Sequence, residues 1–103
     1  METKTFYPNW QDVVTYGEKR PQPQVLLESA TYKSVIAGMQ AGGKMPAHAE
    51  GPAVFHFLAG TGEMLVGEAR YSVQAGSTVV VPDQASRAIE ATSRLAFLAV
   101  RVG

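Results

Sequence analysis

The sequence predicts an all-β domain, a sandwich or barrel of short strands. Three observations carry this. Apolar residues cluster in short runs separated by Gly, Pro and Ser, which is strand punctuation rather than helix punctuation. Turn signals recur at regular intervals: Gly42-Gly43, Gly51-Pro52, Gly60-Thr61-Gly62, Gly67-Glu68, Gly76-Ser77 and Pro82-Asp83. Only Trp10 to Tyr16 could make a helical turn, and its Val13-Val14 pair suits a strand equally well. Many short strands with regular turns give a sandwich or a barrel.

Taken in order, Pro21 and Pro23 first bracket a stiff, extended connector. The runs Gln24 to Leu27 and Tyr32 to Met39 follow and end at the Gly42-Gly43 turn. Ala53 to Leu58 lies between Gly51-Pro52 and Gly60, with Phe55 and Phe57 on one face and His56 on the other. Glu63 to Val66 and Ala69 to Val73 flank Gly67-Glu68. Thr78 to Val81 runs from Gly76-Ser77 to Pro82. Arg87 to Ala91 and Leu95 to Val102 complete the set. No repeat, heptad or low-complexity tract interrupts it.

Composition narrows the function. A length of 103 residues predicts one domain. A chain this short buries only about two thirds of its unfolded surface, so a partner chain would help it. An apolar fraction of 46% with zero net charge argues against disorder. The lack of basic excess argues against nucleic acid as a partner. There is no cysteine, hence no disulfide and no thiolate site. No apolar run is long enough to span a bilayer, and Met1 to Lys4 lacks the core of a signal peptide. The expectation is a soluble cytoplasmic protein with no membrane partner.

Two spaced motifs give a sharper reading. Gly42 and His48 have five residues between them, and Glu50 and the Gly60/Gly62 turn follow. Gly76 and Pro82 also have five residues between them, and Gln84, Arg87 and Ala91 follow. From Ser34 to Val102 this order of turns and strands resembles the cupin family, small RmlC-like jelly-roll β-barrels that usually hold one metal ion. The resemblance implies a single-domain barrel with residues 34–103 as its core and residues 1–33 as N-terminal strands and a dimer arm. It also implies that four positions would face the metal. Here His48 matches the first. Glu50 stands at the second. Ala53 or Phe55, depending on register, replaces the family's Glu. Arg87 replaces its second-motif His, Gln84 its internal Gly and Ala91 its Asn.

These replacements set the site expectations. His48 and Glu50 lie two apart and share a strand face. A guanidinium has no lone pair for a metal and repels one. Arg87 therefore has three readings. It pairs with Glu50 in the metal's place, forks onto a ligand carboxylate or phosphate, or is an exposed arginine at a strand start. Tyr32, Met39, Met45, Phe55, Phe57, Met64 and Phe97 either line an apolar cavity or form a packed core. The resulting expectation is a module binding a small polar or anionic molecule through His48, Glu50 and Arg87, with no conventional metal centre. The alternative is a metal-dependent cupin enzyme, a dioxygenase or sugar-acid-processing isomerase, holding one divalent first-row ion on His48, Glu50 and His56. His56 joins that set only if strand parity is broken. A third possibility is a structural dimer without a ligand. The resemblance, with Phe6, Tyr7 and Trp10 outside both motifs, implies a homodimer.

Overall fold

The computed structural model describes residues 4–103. Met1 to Thr3, which belong to the N-terminal segment discussed above, lie outside the described residues. A short 3-10 turn, Trp10–Asp12, is capped by Asn9, whose side chain accepts from the Gln11 amide at 3.0 Å. Ten strands follow: β1 Tyr16–Gly17, β2 Gln22–Ser29, β3 Tyr32–Met39, β4 Lys44–Ala49, β5 Ala53–Ala59, β6 Thr61–Val66, β7 Ala69–Gln74, β8 Thr78–Val81, β9 Ser86–Ala91 and β10 Leu95–Val102. Among the described residues no helix is long and apolar enough to cross a membrane.

The strands form two sheets. The larger runs β1-β3-β10-β5-β8, with β2 also paired to β3. The smaller runs β4-β9-β6-β7. The all-β jelly roll expected from the sequence is present. Its sheets are packed face to face and are not closed into a continuous hydrogen-bonded barrel, so the architecture is a jelly-roll sandwich. Two local expectations change. The Pro21–Pro23 connector already enters β2, where Pro23 pairs opposite Ala37; β2 is held along one edge only, which is where a strand tolerates proline. Residues Lys44–Ala49 form an edge strand that hydrophobic runs did not reveal, since Lys44, Pro46 and His48 break the apolar pattern.

The core lies between the sheets and follows strand parity. On β5, Ala53, Phe55 and Phe57 are buried, while Val54 is exposed and His56 half-buried. Phe97 from β10 sits between Phe55 and Phe57, with ring centroids 5.8 and 5.7 Å away. Met64 and Ile89 meet them from the smaller sheet. Burial of each such side chain stabilises the fold by about 1.5–3 kcal/mol. Met39, Phe57 and Met64 are fully packed, so they serve the core and not a cavity. At the β5–β6 turn, Gly60 has φ +86, and an added Cβ would run into the Arg94 carbonyl. Only glycine closes that corner without strain.

Candidate functional site

At one end of the sandwich the core is not filled. A cavity of about 330 Å³ remains between β3, β5 and β10 on one side and β4 and β9 on the other, with Arg20, Pro21 and Pro23 over it. The wall from the larger sheet is built in cross-strand rows. Arg101 is aligned with Lys33 and Ala53, Ala99 with Val35 and Phe55, and Phe97 with Ala37 and Phe57. Because these positions differ by two along each strand, they all face inward. The first row is cationic and the next two are apolar.

The opposite wall comes from the two motifs. His48 on β4 is aligned with Arg87 on β9, and Met45 with Ile89. Three β4 residues there span the length of two on β9, a register shift between Met45 and His48. This bulge turns both Met45 and His48 toward the cavity although they have opposite parity. His48 is oriented by a hydrogen bond from Nδ1 to the Pro46 carbonyl at 2.9 Å. Since that oxygen can only accept, Nδ1 carries a proton and Nε2 faces Glu50 Oε2 at 3.5 Å.

His48, Glu50 and Arg87 therefore do line one cavity. The Glu50–Arg87 ion pair does not form. The Glu50 carboxylate instead meets Arg101 Nη1 at 3.0 Å, because Arg101 reaches it from the end of β10. Arg87 is turned back onto carbonyl oxygens. Nε and Nη2 donate to Ala85 at 3.2 and 3.0 Å, and Nη2 donates to Glu50 O at 2.9 Å. That same Glu50 carbonyl accepts from the Gln84 amide at 2.7 Å. Nor is Arg87 an exposed strand-start residue, since it is 1% exposed. Its Nη1 is buried with no hydrogen-bond partner, and among the described residues no ion pair involves it. Gln84 holds φ 62, the left-handed conformation that suits the glycine it replaces in the motif.

His56 does not join the cavity. It lies on the outer face of β5 and bonds Thr78 Oγ1 at 2.7 Å. Met45, Phe55 and Phe97 line the cavity, whereas Tyr32 does not. Lys33 and Arg101 also line the cavity without belonging to either motif, and so does Arg20, whose place before Pro21 reads in sequence as a solvated turn. For Arg101 a signal existed: it is four residues beyond Phe97 on one strand and so shares its face.

The residues do not fit a metal centre of the usual cupin kind. Among the described residues, His48 and Glu50 are the only His, Cys, Asp or Glu side chains lining the cavity. The described residues hold no group of three such side chains placed to bind an ion. Two guanidiniums, Arg87 and Arg101, stand where further donors would be needed.

Comparison with known proteins agrees with the architecture. No protein-family model matches the chain, and no curated protein matches it. Solved structures do. A conserved protein of unknown function from Streptococcus pyogenes superposes with a TM-score of 0.84 at 21% identity, covering 99% of this chain and 90% of its own. An uncharacterized conserved protein with a double-stranded β-helix domain from Klebsiella pneumoniae gives 0.84 at 15% identity, over 96% and 90%. An RmlC-like cupin protein from Desulfovibrio desulfuricans gives 0.71 at 25% identity, over 81% and 82%.

Proposed function

We propose that this chain, a small single domain of the cupin fold, binds a small anionic molecule between its sheets without a conventional metal centre. One observation carries the reading: Arg87 is a buried cation that, among the described residues, has no carboxylate in ion-pair range and an unpartnered Nη1. A buried charge costs several kcal/mol, which bonds to neutral carbonyls offset only in part. An anion in the cavity lowers that cost by Coulomb attraction, and a small rotation of the guanidinium would bring Nη1 onto it.

The rest of the lining supports the same sign. Arg20, Lys33, Arg87 and Arg101 face a single carboxylate, Glu50, and that carboxylate is already engaged by Arg101. A concave, low-dielectric wall concentrates the field of such an excess. Lys33 is drawn partly outward by Glu28 at 3.8 Å, so Arg87 and Arg101 supply the main attraction. Recognition of fold alone does not choose among cupin activities; the charge arrangement supports binding. Titration of the isotope-labelled protein with sodium acetate and sodium phosphate, at ionic strength matched with sodium chloride, tests this. Saturable shifts of the Arg87 Nε–H and the Gln84 and Ala85 amides are expected. An absence of saturable shifts with either salt would reject the reading.

A further inference from the structure

The cavity's two ends differ in chemistry, and the difference defines the ligand. At one end, Arg101 and His48 meet the Glu50 carboxylate, Arg87 donates to the Glu50 carbonyl, and Lys33 is aligned beside Arg101. Toward the other, the rows Val35–Ala99–Phe55 and Ala37–Phe97 carry no polar side-chain atom, and Met45 faces them from β4. A bare inorganic anion would satisfy the first end and leave the second facing water or void. An apolar molecule would do the reverse.

We infer that the ligand is an amphipathic organic monoanion, a carboxylate carrying a hydrocarbon or aromatic body, bound with its acid at the Arg87–Arg101 end and its body against Phe55, Phe97 and Met45. The inference rests on the anion reading above and adds to it the chemical class and the direction of binding. Its physical basis is that the two ends are fixed by different strand positions of the same sheet. Stepping by two along β10, from Arg101 to Ala99 to Phe97, changes the wall from cationic to apolar without leaving the inner face. The spacing of about 7 Å per two residues along a strand sets the distance over which the ligand must change from polar to apolar. Met45 is well suited to the apolar end, since an unbranched thioether adapts to ligands of different shape. Apolar lining with a few convergent polar groups is the general character of small-molecule sites.

The test uses three probes on the intact protein: acetate, hexanoate and 1-hexanol. Each buried methylene strengthens binding roughly fourfold, so hexanoate should bind on the order of a hundredfold more tightly than acetate. It should also bind far more tightly than hexanol, which has no charge. Carbon-detected methyl spectra locate the body: Met45, Val35, Ala37 and Ala99 methyls should shift with hexanoate and stay in place with acetate. Equal affinity for acetate and hexanoate would overturn the amphipathic assignment and leave the small-anion reading standing. Hexanoate-induced shifts confined to methyls outside the cavity would also overturn it. Hexanol binding as tightly as hexanoate would overturn it by removing the role of charge. Failure of both acids to bind would overturn it too, and failure of phosphate as well would bring down the anion reading itself.

Discussion

Replacing Glu50 by Gln should make the cavity bind anions more tightly, although Glu50 is one of the residues that build it. The substitution keeps the side chain's shape and removes its charge. Among the described residues Glu50 is the only carboxylate lining the cavity, and it occupies Arg101 at 3.0 Å. An anion seated on the far side of that guanidinium would lie about 6 Å from the carboxylate. Two like charges at that distance repel by about 0.7 kcal/mol in a water-like dielectric and about 2.8 kcal/mol at an effective value of 20. Relieving this repulsion corresponds to roughly a three- to hundredfold gain in affinity for hexanoate. The gain should shrink as salt is added, because the Debye length falls to about 8 Å at physiological ionic strength. The cost to the fold is small. Both partners are about one-third exposed, and pairs of that kind contribute only about 0.2–1 kcal/mol. Calorimetric titration of Glu50→Gln against the parent measures the affinity, and urea denaturation measures the stability. Unchanged or weaker binding by a folded Glu50→Gln protein would show that Glu50 does not border the anion, and the charge argument would fail.

Other outcomes follow from the same geometry. Arg87→Met should weaken hexanoate binding by at least about tenfold, the effect of losing a charge worth about 1.4 kcal/mol, whereas Arg87→Lys should retain part of the affinity; equal titration curves for parent and Arg87→Met would refute this. Gln84→Gly should raise the melting temperature by a few degrees, since relief of a left-handed backbone at φ 62 is worth about 1–2 kcal/mol and the added chain entropy takes back about 0.5–1 kcal/mol; calorimetry reads the sign. Protein purified without chelator should carry less than one equivalent of first-row metal by elemental analysis, because among the described residues His48 and Glu50 are the only imidazole or carboxylate ligands lining the cavity; a stoichiometric ion would favour the enzyme reading. A homodimer is expected at micromolar concentration, with Phe6 72% exposed and the aligned Val54 and Val80 exposed at 40% and 71%; a purely monomeric species in sedimentation would reject it.

Most strands and turns and much of the inside–outside division were legible in the sequence, because these depend on neighbours along the chain; the edge strand Lys44–Ala49 was not. Alternation placed Phe55 and Phe57 on one face and His56 on the other, and the structure turns the face with the two phenylalanines inward. The glycine turn at Gly60 and the Gly76-to-Pro82 strand were legible because backbone geometry demands those residue types. The resemblance implied that the positions of His48 and Arg87 face one point, and in the structure the two residues stand opposite each other on β4 and β9.

Only the tertiary structure decided what those side chains meet. The bulge between Met45 and His48 overrides parity on β4 and is invisible in a hydrophobic pattern. Arg87 reaches the Ala85 and Glu50 carbonyls, and Arg101 takes the Glu50 carboxylate. Long, flexible cations choose among acceptors that distant segments bring together, so their partners depend on how the two sheets are packed and aligned. The same holds for the open sandwich: strand count and turn spacing suit a closed barrel equally well, and closure is decided by hydrogen bonding between sheet edges that lie far apart in sequence. The cavity is the product of that packing, since its cationic row and its apolar rows come from strands that meet only in the folded domain.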